Sequence, residues 1–165
     1  MISTATKNDR GFTLIEMLIA LVIIGLFAAL ISSKVQPDER DRLRAEADRL
    51  AQLLELAATE ARMSGMPIAW KTDGVSYEFR QNRRGGGWSE MRGNDLFRGR
   101  VLPGGIKITG MMIEAMPADA MHLEFSPHAS WSAYAIKMAL GRERYTVAGS
   151  PVGDVRATRG EGKAE

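Results

Sequence analysis

Cysteine is absent from the 165 residues, which excludes a disulfide scaffold and any cysteine-ligated zinc or iron–sulfur site. Histidine is scarce: His122 and His128 are the two, and neither stands at a metal-ligand spacing. The chain also lacks a Gly-x-Ser-x-Gly elbow, a Walker-type Gly-Lys-Ser/Thr and a His-Glu-x-x-His, so it offers no catalytic constellation and implies no cofactor. A charge excess is missing too. Lys and Arg number 22 against 20 Asp and Glu, and a net +2 is too small to mark a nucleic-acid protein even though the pI is near 9.1. What remains, 45% apolar and 25% charged, fits one globular domain plus an additional segment.

Charge is thinnest over residues 12–31, FTLIEMLIALVIIGLFAALI, twenty residues whose only ionisable group is Glu16. As a helix rising about 1.5 Å per residue, this run spans roughly 30 Å, the thickness of a bilayer core. Lys7 and Arg10 against Asp9 leave the preceding stretch at net +1, which favours keeping that end in the cytoplasm and the rest of the chain across the membrane. A cleaved secretory signal peptide is the alternative. Its apolar region is shorter, roughly 7–15 residues, and 28–34 offers only ambiguous cleavage sites. A carboxylate five residues into such a run costs roughly 2.5–3.5 kcal/mol on insertion scales unless it is partnered. No basic side chain lies between Phe12 and Ser33, so the expected partner is another chain or a new α-amino group.

Residues 10–16, RGFTLIE, closely resemble the class III signal of type IV pilins and type II secretion pseudopilins: a basic leader, a Gly, an aromatic residue and a Glu five places after the cut. The resemblance implies cleavage between Gly11 and Phe12 by a prepilin peptidase and N-methylation of Phe12. It also implies pairing of Glu16 with the terminal amine of a neighbouring subunit, which offsets burial of both charges.

Downstream, Pro37 ends or kinks the first helix, and Asp38, Glu39 and Asp41 crowd the first turn of a second, where the helix dipole favours negative charge. Leu43, Ala47, Leu50, Leu54, Ala57 and Ala61 then recur in steps of four and three, the signature of one buried helical face. Gly65 and Pro67 are its stop signal. A coiled coil and packing against the chain's own sheet are the two readings of this stripe. Its short length and three alanines favour the sheet.

The remainder reads as β-rich. Residues 68–72 and 75–80 flank Asp73-Gly74 as a hairpin with a two-residue type I′ turn. Further strands are expected over 106–109, 121–125, 133–140 and 144–148, the last two joined through Gly141-Arg142-Glu143 as a hairpin. Residues 156–165 are poor in apolar groups and are expected as a flexible tail. Six arginines between Arg80 and Arg100, against Glu90 and Asp95, surround Trp88 and Phe97. This stretch reads as a solvated loop, a protein contact or a DNA contact, with Arg83, Arg84 and Trp88 the candidate contact residues. Gly85, Gly86 and Gly87 lack the strand–helix context of a phosphate cradle and read as a flexible loop.

This part resembles the H-type minor pseudopilins, the general secretion pathway protein H family, and their pilus relatives. The likeness rests on Phe125-Ser126-Pro127-His128-Ala129, with Ala129 in place of the expected Gly, and on Gly141, Tyr145-Thr146-Val147 and Gly153-Asp154-Val155. It implies an α+β, type IV pilin-like fold: leader 1–11, membrane and filament-core helix 12–33, amphipathic helix 34–65, periplasmic β domain 66–155 and tail 156–165. It implies a non-enzymatic, inner-membrane-anchored subunit of the type II secretion pseudopilus, with its N-terminus cytoplasmic and its C-terminal domain periplasmic. The implied partners are prepilin peptidase, the assembly platform, the other minor pseudopilins of the tip complex and the major pseudopilin. The alternative is a minor pilin of a type IV pilus that binds DNA during uptake.

Overall fold

The computed structural model describes residues 14–32, 38–83, 86–91, 94–118 and 120–160. Two units, Met1–Pro37 and Asp38–Glu165, are compact in themselves. In the first, helix α1 covers Leu14–Ser32, with Glu16 in its first turn. Leaving lipid aside, nothing in LIEMLIALVIIGLFAALIS gives it a polar side. It is apolar all round rather than amphipathic.

The second unit opens with α2, Glu39–Ser64, within the expected 34–65, of which 34–37 lie outside the described residues. Asp38 accepts the first helical bond, from the N–H of Arg42 at 3.1 Å. Gly65 closes the helix at φ +66°, a left-handed conformation that glycine adopts without a Cβ penalty. All six stripe residues from Leu43 to Ala61 are at 0% exposure. The buried face is wider than the stripe, taking in Ala51, Leu53, Ala58 and even Glu46, because α2 meets strands of two sheets and not one. Its alanines let the strands approach closely, so the stripe serves the chain's own core and not a coiled coil.

Among the described residues ten strands follow: β1 Ile68–Thr72, β2 Ser76–Arg83, β3 Gly87–Glu90, β4 Arg100–Val101, β5 Lys107–Ile113, β6 Met116–Pro117, β7 His122–Phe125, β8 Tyr134–Leu140, β9 Glu143–Gly149 and β10 Val155–Arg159. They make two antiparallel sheets, one in the order β3-β2-β1-β7 with β4 also on β2, the other β10-β9-β8-β5-β6. Alternation aims Ile68, Trp70, Tyr77 and Phe79 of the first sheet and Ile136, Met138, Tyr145 and Val147 of the second into the common core. The architecture is the expected α+β one.

Three local expectations are corrected. The β1–β2 connection is not a two-residue type I′ turn, since Thr72 pairs with Tyr77 across four residues. The Asp73 carboxylate accepts from the N–H groups of Val75 (2.9 Å) and Ser76 (2.6 Å) and from the Ser76 hydroxyl (2.9 Å), and this local bonding outcompetes the tighter turn. Nor is 156–165 a loose tail throughout. Residues 155–159 form β10, in register with β9 from Val155–Gly149 to Arg159–Tyr145. An edge strand exposed on one face needs few apolar side chains, and Val155 and Ala157 suffice to pack it on the core. The arginine-rich stretch is no plain loop either, because β2 runs on to Arg83 and pairs with β3. The β8–β9 turn is a two-residue one at Gly141-Arg142, with Leu140 opposite Glu143 and Gly141 at φ +54°.

Candidate functional site

Two surfaces are candidates, one on each unit. On α1 every large apolar side chain described, from Leu14 to Phe27, is exposed. Such a helix is a binding surface for lipid or for other helices, because its apolar area gains from leaving water on all sides. Glu16 sits in its first turn, where a carboxylate also suits the helix dipole. Gly11 and Phe12, the expected cleavage site, lie outside the described residues. Among the described residues no helix is long and apolar enough to cross a membrane; the segment expected to do so, 12–33, extends past them at both ends.

On the second unit Trp88 stands on β3 opposite Asn82 of β2, 37% exposed, and Arg83 lies opposite Gly87 at the turn end of the hairpin. Arg84 lies outside the described residues. Three other arginines of this stretch are engaged within the chain. Arg80 donates to the Trp88 carbonyl at 3.3 Å, Arg98 meets Asp95 at 3.5 Å, and Arg100 meets Glu46 at 3.4 Å. Phe97, read from the sequence as interleaved with them, is 1% exposed and packs its ring 5.2 Å from Phe79. The structure thus brings Arg83 and Trp88 to one hairpin and turns Phe97 into core.

Sequence reasoning missed three features. Glu46 is a buried carboxylate on α2 whose partner Arg100 comes from β4. Burial raises the pKa of the neighbouring Tyr77 phenol, and the Glu46 charge adds to this. The Arg62 guanidinium lies 3.8 Å above the Trp131 ring, tying the end of α2 to the segment before β8. A groove of about 540 Å³ opens between β6 of one sheet and β7 of the other, with Met116, Leu123, Phe125, Trp131 and Tyr134 among its walls. At its lip Glu114 and Ala115 both hold positive φ, +50° and +66°, in the two-residue turn between β5 and β6. These features depend on contacts between residues distant in sequence, so no local pattern could signal them.

His122 is exposed on β7 opposite Lys71, and His128 follows Pro127 in the next connection. Among the described residues no three His, Cys, Asp or Glu side chains stand close enough together to hold a metal ion.

Comparison with known proteins agrees with this anatomy. The prokaryotic N-terminal methylation motif matches residues 6–32, and the family described as type II transport protein GspH matches residues 46–153. Two solved structures of the minor pseudopilin EpsH from the type 2 secretion system of Vibrio cholerae share the fold. One superposes at TM-score 0.62 with 18% identity, over 74% of this chain and 97% of its own. The other gives 0.58 with 18% identity, over 72% of this chain and 98% of its own. None of the curated proteins searched matches the chain.

Proposed function

The chain belongs to the type II transport protein GspH family, and from that membership we propose that it links a tip complex of other minor pseudopilins to the major pseudopilin beneath them. In that place it helps a periplasmic pseudopilus export folded proteins. The observation that carries this reading is α1, a helix whose described apolar side chains are exposed on every side, within a segment that matches the N-terminal methylation motif.

Prepilin peptidase cuts between Gly11 and Phe12 on the cytoplasmic side and methylates the Phe12 amine. The segment 12–33 then holds the subunit in the inner membrane until assembly moves it into the filament core, with the Asp38–Glu165 unit in the periplasm. Glu16 meets the Phe12 amine of a neighbouring subunit, which offsets the cost of burying either charge and sets axial register. The chain does no chemistry of its own. The assembly platform supplies the work, and this subunit supplies surfaces, Arg83, Arg84 and Trp88 among its outward contacts with neighbours.

A strain lacking the gene, complemented with the intact chain, tests the assignment. Exoproteins held in the periplasm while twitching motility and DNA uptake persist would support it. Normal secretion with lost motility or uptake would replace it with a type IV minor pilin. In the complemented strain Glu16→Ala is expected to be processed to mature length yet be missing from sheared filaments, and normal recovery there would refute the role given to Glu16.

A further inference from the structure

Two turns close on the first two turns of α2, and a third, past β10, closes on the start of β9 beside them. A Cβ on Gly141, between β8 and β9, would strike the Glu39 carboxylate, and one on Gly104, in the 3₁₀ turn before β5, would strike the Arg42 guanidinium. Gly160, just past β10, donates its N–H to the Arg144 carbonyl at 3.0 Å. Through these close approaches the fold collects Arg40, Arg42, Lys107, Arg142 and Arg144, all exposed, at the end of the globular unit where α2 begins.

The charges beside them do not cancel them. Arg159 already engages Glu143 at 3.2 Å, and Arg44 engages Asp48 at 3.6 Å. Among the described residues Asp38, Glu39 and Asp41 remain, three carboxylates against five cations, and the N-terminus of α2 adds about half a positive charge. The other end of α2 differs. There Arg62 is spent on the Trp131 ring, Asp154 faces Arg156 at 3.9 Å, and Met63 and Val152 are about four-fifths exposed.

Chain length adds the second argument. Residues 33–37 join Ser32 to Asp38, a stretch that spans at most about 20 Å when fully extended. An anionic lipid surface attracts cations over a Debye length of roughly 8–10 Å. Resting on the membrane-anchored reading above, we propose that this basic end of the globular unit docks on anionic phospholipid headgroups while the subunit waits in the membrane for assembly. Docking would hold the start of α2 at the membrane surface, and extraction into a filament would have to release it.

The absence of cysteine permits single-site labelling of the full chain. Ala45→Cys places a fluorophore near the basic end, and Val152→Cys places one near the Trp131 end. Each labelled chain is reconstituted in vesicles of phosphatidylcholine alone or with one-third phosphatidylglycerol, both carrying a headgroup quencher. At position 45, quenching is expected to be about twofold stronger with phosphatidylglycerol. High salt should erase the difference, as should the exposed pair Lys107→Glu and Arg142→Glu, while position 152 stays unchanged. Equal quenching at position 45 in the two lipids overturns the proposal. Should added duplex DNA shield position 45 in that case, the patch belongs to nucleic acid instead. Extraction of the chain from both vesicles by alkaline carbonate would refute the membrane-anchored reading itself, a separate outcome.

Discussion

Helices α1 and α2 follow one another along the chain, yet the large apolar side chains described on α1 are exposed, from Leu14 at 85% to Ile23 at 48%, whereas the stripe of α2 is at 0%. Each helix also carries one acidic residue among its apolar groups. Glu46 of α2 has Arg100 of β4 at 3.4 Å, while the partner proposed for Glu16 of α1 is the amine of a neighbouring subunit. The difference teaches where each helix stores its free energy. Burying α2 against two sheets stabilises one folded unit, and the apolar surface of α1 becomes favourable only in lipid or between subunits.

The largest effect should come from trading a leucine for alanine on each helix. Leu54→Ala removes a fully buried side chain and is expected to destabilise the globular unit by about 2–5 kcal/mol. Leu21→Ala should leave thermal unfolding of that unit unchanged and show itself in filament recovery. A common shift in the calorimetric midpoint for both would break the contrast.

Exchanging the carboxylates sharpens it. Glu46→Ala leaves Arg100 facing a buried void, and because that guanidinium is about one-third exposed the cost should be about 2 kcal/mol, below that of a fully buried pair. The double variant Glu46→Met with Arg100→Met should recover much of the loss in urea titrations, which a mere volume effect at position 46 would not do. Glu16→Ala, by contrast, should leave the urea midpoint where it is.

A smaller gain is expected at the β5–β6 turn. Ala115 holds φ +66°, so Ala115→Gly should stabilise the globular unit by about 0.5–1 kcal/mol, the relief of strain exceeding the cost of glycine's greater freedom in the unfolded chain. A rise in thermal midpoint without any change in filament recovery would keep stability and assembly on separate units.

The smallest effect is one of pH. Three hydrogen bonds, first those from the backbone N–H groups of Val75 and Ser76, hold the Asp73 carboxyl below its ordinary 3.8. A depressed folded pKa means that the contribution is present above the unfolded value and is lost as pH falls through the folded one. Asp73→Asn should therefore lower the neutral plateau slightly and flatten part of the acid limb of the stability profile below about pH 4, measured by circular dichroism.

Much of this was legible without coordinates because it is periodic or local. The stripe from Leu43 to Ala61, the stop at Gly65 and the strands around Tyr77, Ile136 and Val147 follow from spacing alone. So does the uniform apolarity of 14–27, which needs no tertiary partner to be recognised. Where the reading slipped, a local rule met a long-range competitor. Asp73 bonded its own following backbone, so Asp-Gly did not make the two-residue turn. Residues 155–159, with only Val155 and Ala157 apolar, became a strand because the open edge of β9 offered backbone partners, and a ladder hydrogen bond does not depend on side-chain identity. Phe97 left the arginine-rich surface because Phe79 offered it a ring.

By itself, then, the sequence determined the amphipathic helix, the strands with a clear alternation, which face of α2 is apolar and where the membrane-length run with its single carboxylate lies, since these depend on neighbours within a few residues. Only the tertiary structure decided that α2 serves two sheets, that Glu46 finds Arg100, that Arg62 lies on Trp131, and that Arg40, Lys107 and Arg142 share one end. Those pairings join residues tens of positions apart, and their energies exist only once close packing brings the groups within a few ångströms of each other.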